Sequence, residues 1–74
     1  MNAQSQKLSV LVNDRPHPLA APANLAGLMR ELGLAQARGV AAAVEGEVVP
    51  RASWETRALA GGERILVIRA TQGG

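Results

Sequence analysis

The chain has 74 residues, 47% of them hydrophobic, and eight basic against six acidic side chains give a formal net charge of +2. A chain this short makes one domain and buries only about 60% of its unfolded surface, so its core is small, yet the apolar fraction excludes a disordered polymer. There is no cysteine, which excludes disulfides, thiolate chemistry and cysteine metal centres.

Seven of the eight bases are arginines, at 15, 30, 38, 51, 57, 64 and 69, and they are scattered rather than gathered into a stripe. Trp54 is the sole aromatic residue. A nucleic-acid surface normally joins clustered charge to aromatic stacking partners, so no nucleic-acid partner is expected. The opening MNAQSQ is polar and has no secretory apolar stretch, and no apolar run approaches the ~18 residues that span a bilayer. The expectation is a cytoplasmic protein without a membrane partner.

Residues 1–6 read as a loose tail. KLSVLV (7–12) is a strand by its Leu and Val content and partial alternation. Asn13-Asp14-Arg15 supplies turn residues, and PHPLA (16–20) returns as a second strand. Its two prolines donate no ladder hydrogen bonds and place it at a sheet edge. Asn24 is an N-cap for the helix that follows. Leu25, Leu28, Met29 and Leu32 recur at i, i+3, i+4 and i+7 and make one apolar face. Gly33 is the stop signal, with Leu34 folding back over the helix end. Gly27 lies inside this helix at a cost of about 1 kcal/mol relative to Ala, for which the sequence offers no reason.

GVAAAVEGEVV (39–49) reads as strand, two-residue turn at Glu45-Gly46, strand. Pro50 stops the pairing. Residues 51–62 form a connector with one helical turn, Gly61-Gly62 turns the chain, and ERILVIRA (63–70) is the last strand. ILVI is nearly continuous apolar sequence, as a central strand requires. A hairpin, a helix crossing one face, then further strands define an α+β fold of the β-grasp, ubiquitin-like type. The expectation is a mixed four- to five-stranded sheet, with one main helix on one face and the first and last strands parallel at its centre. Residues 1–74 read as a single domain with a flexible C-terminal tail, 71–74.

No side-chain constellation points to catalysis. His17, the only histidine, stands between two prolines with no sequence partner, and one His without Cys does not make a metal site. Ser5, Ser9 and Ser53 lack a nucleophile-elbow context. Glu45 and Glu47 flank a turn, as solvated carboxylates do. Gly61-Gly62 lacks the lysine and following helix of a phosphate loop. Met29 belongs to the leucine face, and Trp54 reads as a lid on the core. The group that remains is the carboxylate of Gly74, which becomes electrophilic once activated, for example as an acyl-adenylate made with ATP. Glycine at 73 and 74 lets bare backbone enter a narrow channel, and residues 71–74 extended span about 13–14 Å at most. Fixing those four residues costs on the order of 4–8 kcal/mol of backbone entropy. A docking surface on the folded body is therefore needed, and the apolar part of the sheet not covered by the helix suits it. Arg51, Arg57, Arg64 and Arg69 are candidates to orient a partner there, although each taken singly reads as ordinary solvated charge.

VLVNDRP (10–16), NLAGLMRELGL (24–34), VAAAVEGEVVPRASW (40–54) and LAGGERILVIRATQGG (59–74) resemble the thiamine-pathway sulfur carrier family, ThiS. VVPR…W and the terminal QGG are the most specific stretches. Glu45-Gly46 departs from the family's frequent Asn-Gly tip, and Gly61-Gly62-Glu63 from its frequent Gly-Asp. The resemblance implies a carrier that is not an enzyme and binds no cofactor or metal. A ThiF-type adenylating enzyme would use ATP on Gly74, and a sulfur donor protein or persulfide would convert it to a thiocarboxylate. Thiazole synthase, of the ThiG type, would accept the sulfur. Gly74 would carry the sulfur, Gly73 give clearance, and Gln72 and Thr71 complete the arm entering the partner's active site. The small subunit of molybdopterin synthase, another ubiquitin-like carrier or modifier, and a β-grasp interaction domain are the alternatives.

Overall fold

The computed structural model describes residues 7–70. In chain order the elements are β1 (Lys7–Val12), β2 (Arg15–Ala20), β3 (Ala23–Asn24), α1 (Leu25–Glu31), β4 (Val40–Val44), β5 (Glu47–Val49), a 3₁₀ turn (Arg51–Ser53), β6 (Ala58–Leu59) and β7 (Arg64–Arg69). Five strands form one mixed sheet in the order β2-β1-β7-β4-β5. β1 and β7 run parallel at its middle, with Leu11 opposite Arg64 and Val12 opposite Ile65. The other neighbours are antiparallel. The proline-bearing β2 lies at the edge, as its missing donors require.

Both tight hairpins have their two central residues at positive φ: Asn13 and Asp14 at 50° and 71°, Glu45 and Gly46 at 51° and 85°. This is the mirror-image turn whose twist matches that of paired strands. Asn13 also extends the sheet with its side chain. Its Oδ1 accepts from the Val67 N–H at 2.8 Å and its Nδ2 donates to the Val67 carbonyl at 3.3 Å, continuing the β1–β7 ladder beyond the end of β1. Glu45 answers its strained backbone by a similar device. Its N–H donates to the Arg64 carbonyl at 2.8 Å, and its Oε2 accepts from the Arg64 N–H at 2.6 Å. The expected solvated carboxylate is thus a partner of the sheet.

α1 begins as its sequence predicts. The Asn24 side chain accepts from the Gly27 N–H at 2.7 Å. Two further first-turn donors are met from the connector: Leu25 N–H by the Arg57 carbonyl and Ala26 N–H by the Trp54 carbonyl. At the other end Gly33, at φ +77°, donates to the Arg30 carbonyl at 3.0 Å, and Leu34 donates to the Met29 carbonyl at 2.8 Å. These are the paired bonds of a Schellman stop, with Leu34 packed against the core.

The core lies between α1 and one sheet face. Leu25, Leu28, Met29, Val10, Val44 and Ile65 are its largest fully enclosed side chains. Trp54 is buried beside them, and its Nε1–H donates to the Val49 carbonyl at 2.9 Å. The small β3–β6 pair, with Ala23 opposite Leu59, closes the core beneath the start of α1. It is absent from the expected element list. β7 is the central strand that the nearly continuous apolar sequence ILVI predicts. Ile65 is buried and Val67 packs on the core, while Leu66 and Ile68 are about half exposed on the opposite face, at 51% and 48%.

Candidate functional site

The sheet face away from α1 carries the apolar surface the helix does not cover. Cross-strand register places Ala43 between Leu66 of β7 and Val48 of β5, and Ala41 beside Ile68. Val48, Leu66 and Ile68 are the large hydrophobic side chains left exposed among the described residues. Asp14 and Arg64 stand at the border of the shallow hollow they line. Ala41 and Ala43 are small, so the larger neighbours stand proud of a flat floor. An apolar face with a charged rim is the usual anatomy of a protein-docking surface.

β7 runs along this face and delivers the chain to Ala70. There the Ala70 N–H donates to the Gly39 carbonyl at 2.6 Å. Thr71, Gln72, Gly73 and Gly74, the residues the sequence singles out, lie outside the described residues. Their point of departure is nonetheless defined: next to Gly39, at the end of the exposed row Arg64, Leu66, Ile68 and Ala70.

The four candidate arginines are not equivalent. Arg64 borders the apolar hollow, and Arg69 is exposed at the end of β7 opposite Val40. Arg57 braces the connector, where its Nη2 donates to Glu63 Oε2 at 3.2 Å and Glu63 Oε1 accepts from the Ala60 N–H at 2.9 Å. Arg51 is tied down as well. Its two Nη groups donate to the carbonyls of Ala35 and Ala37, and its guanidinium lies over the Trp54 ring, 4.7 Å from the centroid. The reading of Arg51 and Arg57 as solvated charge is therefore corrected. His17 has a partner that sequence distance hid, Glu31 Oε1 at 3.2 Å from its Nε2. Among the described residues no three His, Asp or Glu side chains converge as metal ligands, and no helix is long and apolar enough to cross a membrane. Gly39 was missed by sequence reasoning, although a glycine directly ahead of a strand is a recognisable sign of a special backbone conformation.

A small mixed sheet grasping one helix, with its central strand leading into a Gly-Gly sequence, defines the class of ubiquitin-like β-grasp proteins. The model of the ThiS family matches residues 2–74, and the chain belongs to that family, whose members are sulfur carriers of thiamine biosynthesis rather than enzymes. A crystal structure of the thiamine biosynthesis protein ThiS from Geobacter metallireducens superposes with a TM-score of 0.75 at 26% identity, covering 90% of this chain and 100% of that one. An NMR solution structure of a thiamine biosynthesis protein from the same organism gives a TM-score of 0.74 at 26% identity, covering 90% of this chain and 88% of that one. No curated protein matches the chain.

Proposed function

We propose that residues 1–74 form one carrier domain whose reactive group is the carboxylate of Gly74, with Thr71, Gln72 and Gly73 as the arm that enters a partner's active site. A ThiF-type enzyme binds the domain and ATP. A Gly74 carboxylate oxygen attacks the α-phosphorus, pyrophosphate leaves, and an acyl-adenylate forms. A sulfide-level sulfur nucleophile then attacks the acyl carbon and AMP leaves, giving the thiocarboxylate. If the sulfur arrives as a protein persulfide, the first product is an acyl disulfide, and a thiol reductant cleaves it to the same thiocarboxylate. Thiazole synthase takes the sulfur and the carrier returns to its carboxylate form. The ATP belongs to the partner's reaction, and the carrier holds no cofactor of its own.

The observation that carries this reading is the continuity of β7, from the apolar face through Ile68 to Ala70, four residues ahead of Gly74. The enzyme that acts on Gly74 must approach this end of the molecule. Val48, Leu66 and Ile68 offer it an apolar contact that can offset the entropy of fixing the arm. The family match extends through the same four residues. The test is the intact mass after incubation with the adenylating enzyme, ATP and a sulfide source. The expected gain is that of sulfur replacing oxygen, located in the C-terminal peptide and dependent on ATP. An unchanged mass, with the enzyme active on another carrier, would remove the chemical role of Gly74.

A further inference from the structure

The Arg51–Trp54 unit and Gly39 join the core to the point where the arm begins. Gly39 sits at φ +69°, and a Cβ placed on it would meet the Ala70 Cβ at 3.3 Å and the Ala70 carbonyl oxygen at 3.5 Å. Bare backbone is what allows the Gly39 carbonyl to reach the Ala70 N–H. The segment leading to Gly39 belongs to neither helix nor strand. It is held by two of its own carbonyls, Ala35 and Ala37, which converge on the two Nη groups of Arg51. A planar guanidinium suits two such acceptors, where an ammonium is a compact point charge without that fork. Arg51 in turn rests on Trp54, which is buried and hydrogen-bonded to Val49. Arg51, Gly39 and Ala70 line one groove with Arg38 and Ile68, so this support stands at the mouth of the arm.

We propose that Gly39 and Arg51 are positioning residues: together they form a collar that fixes Ala70, the last described residue before the arm. This rests on the carrier reading of Gly74 given above. The four residues beyond Ala70 span at most about 13–14 Å, so the position of Ala70 bounds the clefts that the Gly74 carboxylate can reach. Misplacement of about 1 Å is enough to cost on the order of a hundredfold in rate. The collar does not supply the apolar contact, so it acts on turnover while the docking face sets KM.

The experiment is steady-state adenylation, followed by ATP–pyrophosphate exchange, for the wild type, Gly39→Ala and Arg51→Lys, with amide hydrogen exchange on the same samples. Turnover is expected to fall about tenfold in Gly39→Ala and about threefold in Arg51→Lys, with KM within about twofold of wild type. The Ala70 amide is expected to exchange faster in both, while those of Ile65 and Val67 keep their protection. Arg51 is exposed, so its variant decides the matter if Gly39→Ala does not fold. Wild-type turnover in either folded variant, or a loss carried by KM, overturns the collar and leaves the carrier reading intact. No exchange activity with the wild type, using an enzyme active on another carrier, overturns both.

Discussion

Gly27 occupies the third position of α1, where a helix interior would favour alanine by about 1 kcal/mol. A Cβ there would lie 3.3 Å from Asn24 Oδ1. That oxygen accepts from the Gly27 N–H at 2.7 Å, and the Asn24 Nδ2 donates to the Glu55 carbonyl at 3.2 Å. The cap cannot retreat without lengthening one of these bonds, so the expected propensity gain is absorbed. Gly27→Ala should leave Tm unchanged or lower it. A rise of about 4–8 °C, the equivalent of 1 kcal/mol in a domain of this size, would show that the cap yields freely. Glu45 presents the same kind of balance. Holding a non-glycine residue at positive φ costs about 1–2 kcal/mol, and its carboxylate on the Arg64 N–H offsets part of that cost. Glu45→Ala keeps the strain and loses the bond. It should destabilise by about 1–3 kcal/mol in urea unfolding, and an unchanged midpoint would deny the side chain this role. Asn24 and Gly33 were legible in the sequence because a cap and a stop are local devices, read within five residues. Gly27 and Glu45 were not, because their reasons lie in contacts with Glu55 and Arg64, set by the fold.

Elements show the same division. The helix and the five sheet strands follow from periodicity, turn residues and prolines. The β3–β6 pair does not, since two-residue strands carry no period. Ala23-Asn24 and Ala58-Leu59 pair because the connector must pass close beneath α1, where the carbonyls of Trp54 and Arg57 receive its first-turn donors. Trp54 is central to this connector, and the expectation of a lid captured its burial but not its hydrogen bond. Trp54→Phe preserves much of the apolar volume and removes the donor to the Val49 carbonyl. Val49 is itself buried, and leaving a buried acceptor without its donor costs about 1–3 kcal/mol. That is a large share of the roughly 4–11 kcal/mol a domain of this length has. Thermal unfolding of the variant should begin well below that of the wild type. An equal Tm would mean that packing alone accounts for Trp54. The continuous apolar sequence of β7 serves two faces, one sealed by α1 and one left open.

For the whole molecule, the carrier reading separates affinity from chemistry. On that proposal the open face would supply affinity and residues 71–74 the chemistry, joined through Ala70. Leu66 and Ile68 are about half exposed, so replacing either with Asp should cost on the order of 1 kcal/mol through strand propensity and leave the domain folded. An aspartate there would instead oppose an apolar partner surface and require its carboxylate to be desolvated in the complex. KM for adenylation should rise by about tenfold or more with turnover little changed, because the contact is equally present in the ground and transition states. A chain lacking Gly73 and Gly74 should behave in the opposite way. It should form no thiocarboxylate, yet still bind the adenylating enzyme and compete with the intact carrier, because the docking face is untouched. Combining Ile68→Asp with that truncation should abolish the competition. The measurement is inhibition of wild-type adenylation by each truncated chain. If the truncated chain does not compete, the face contributes no independent affinity and recognition resides in the arm. If the truncated Ile68→Asp chain competes as well as its parent, recognition uses another surface of the domain.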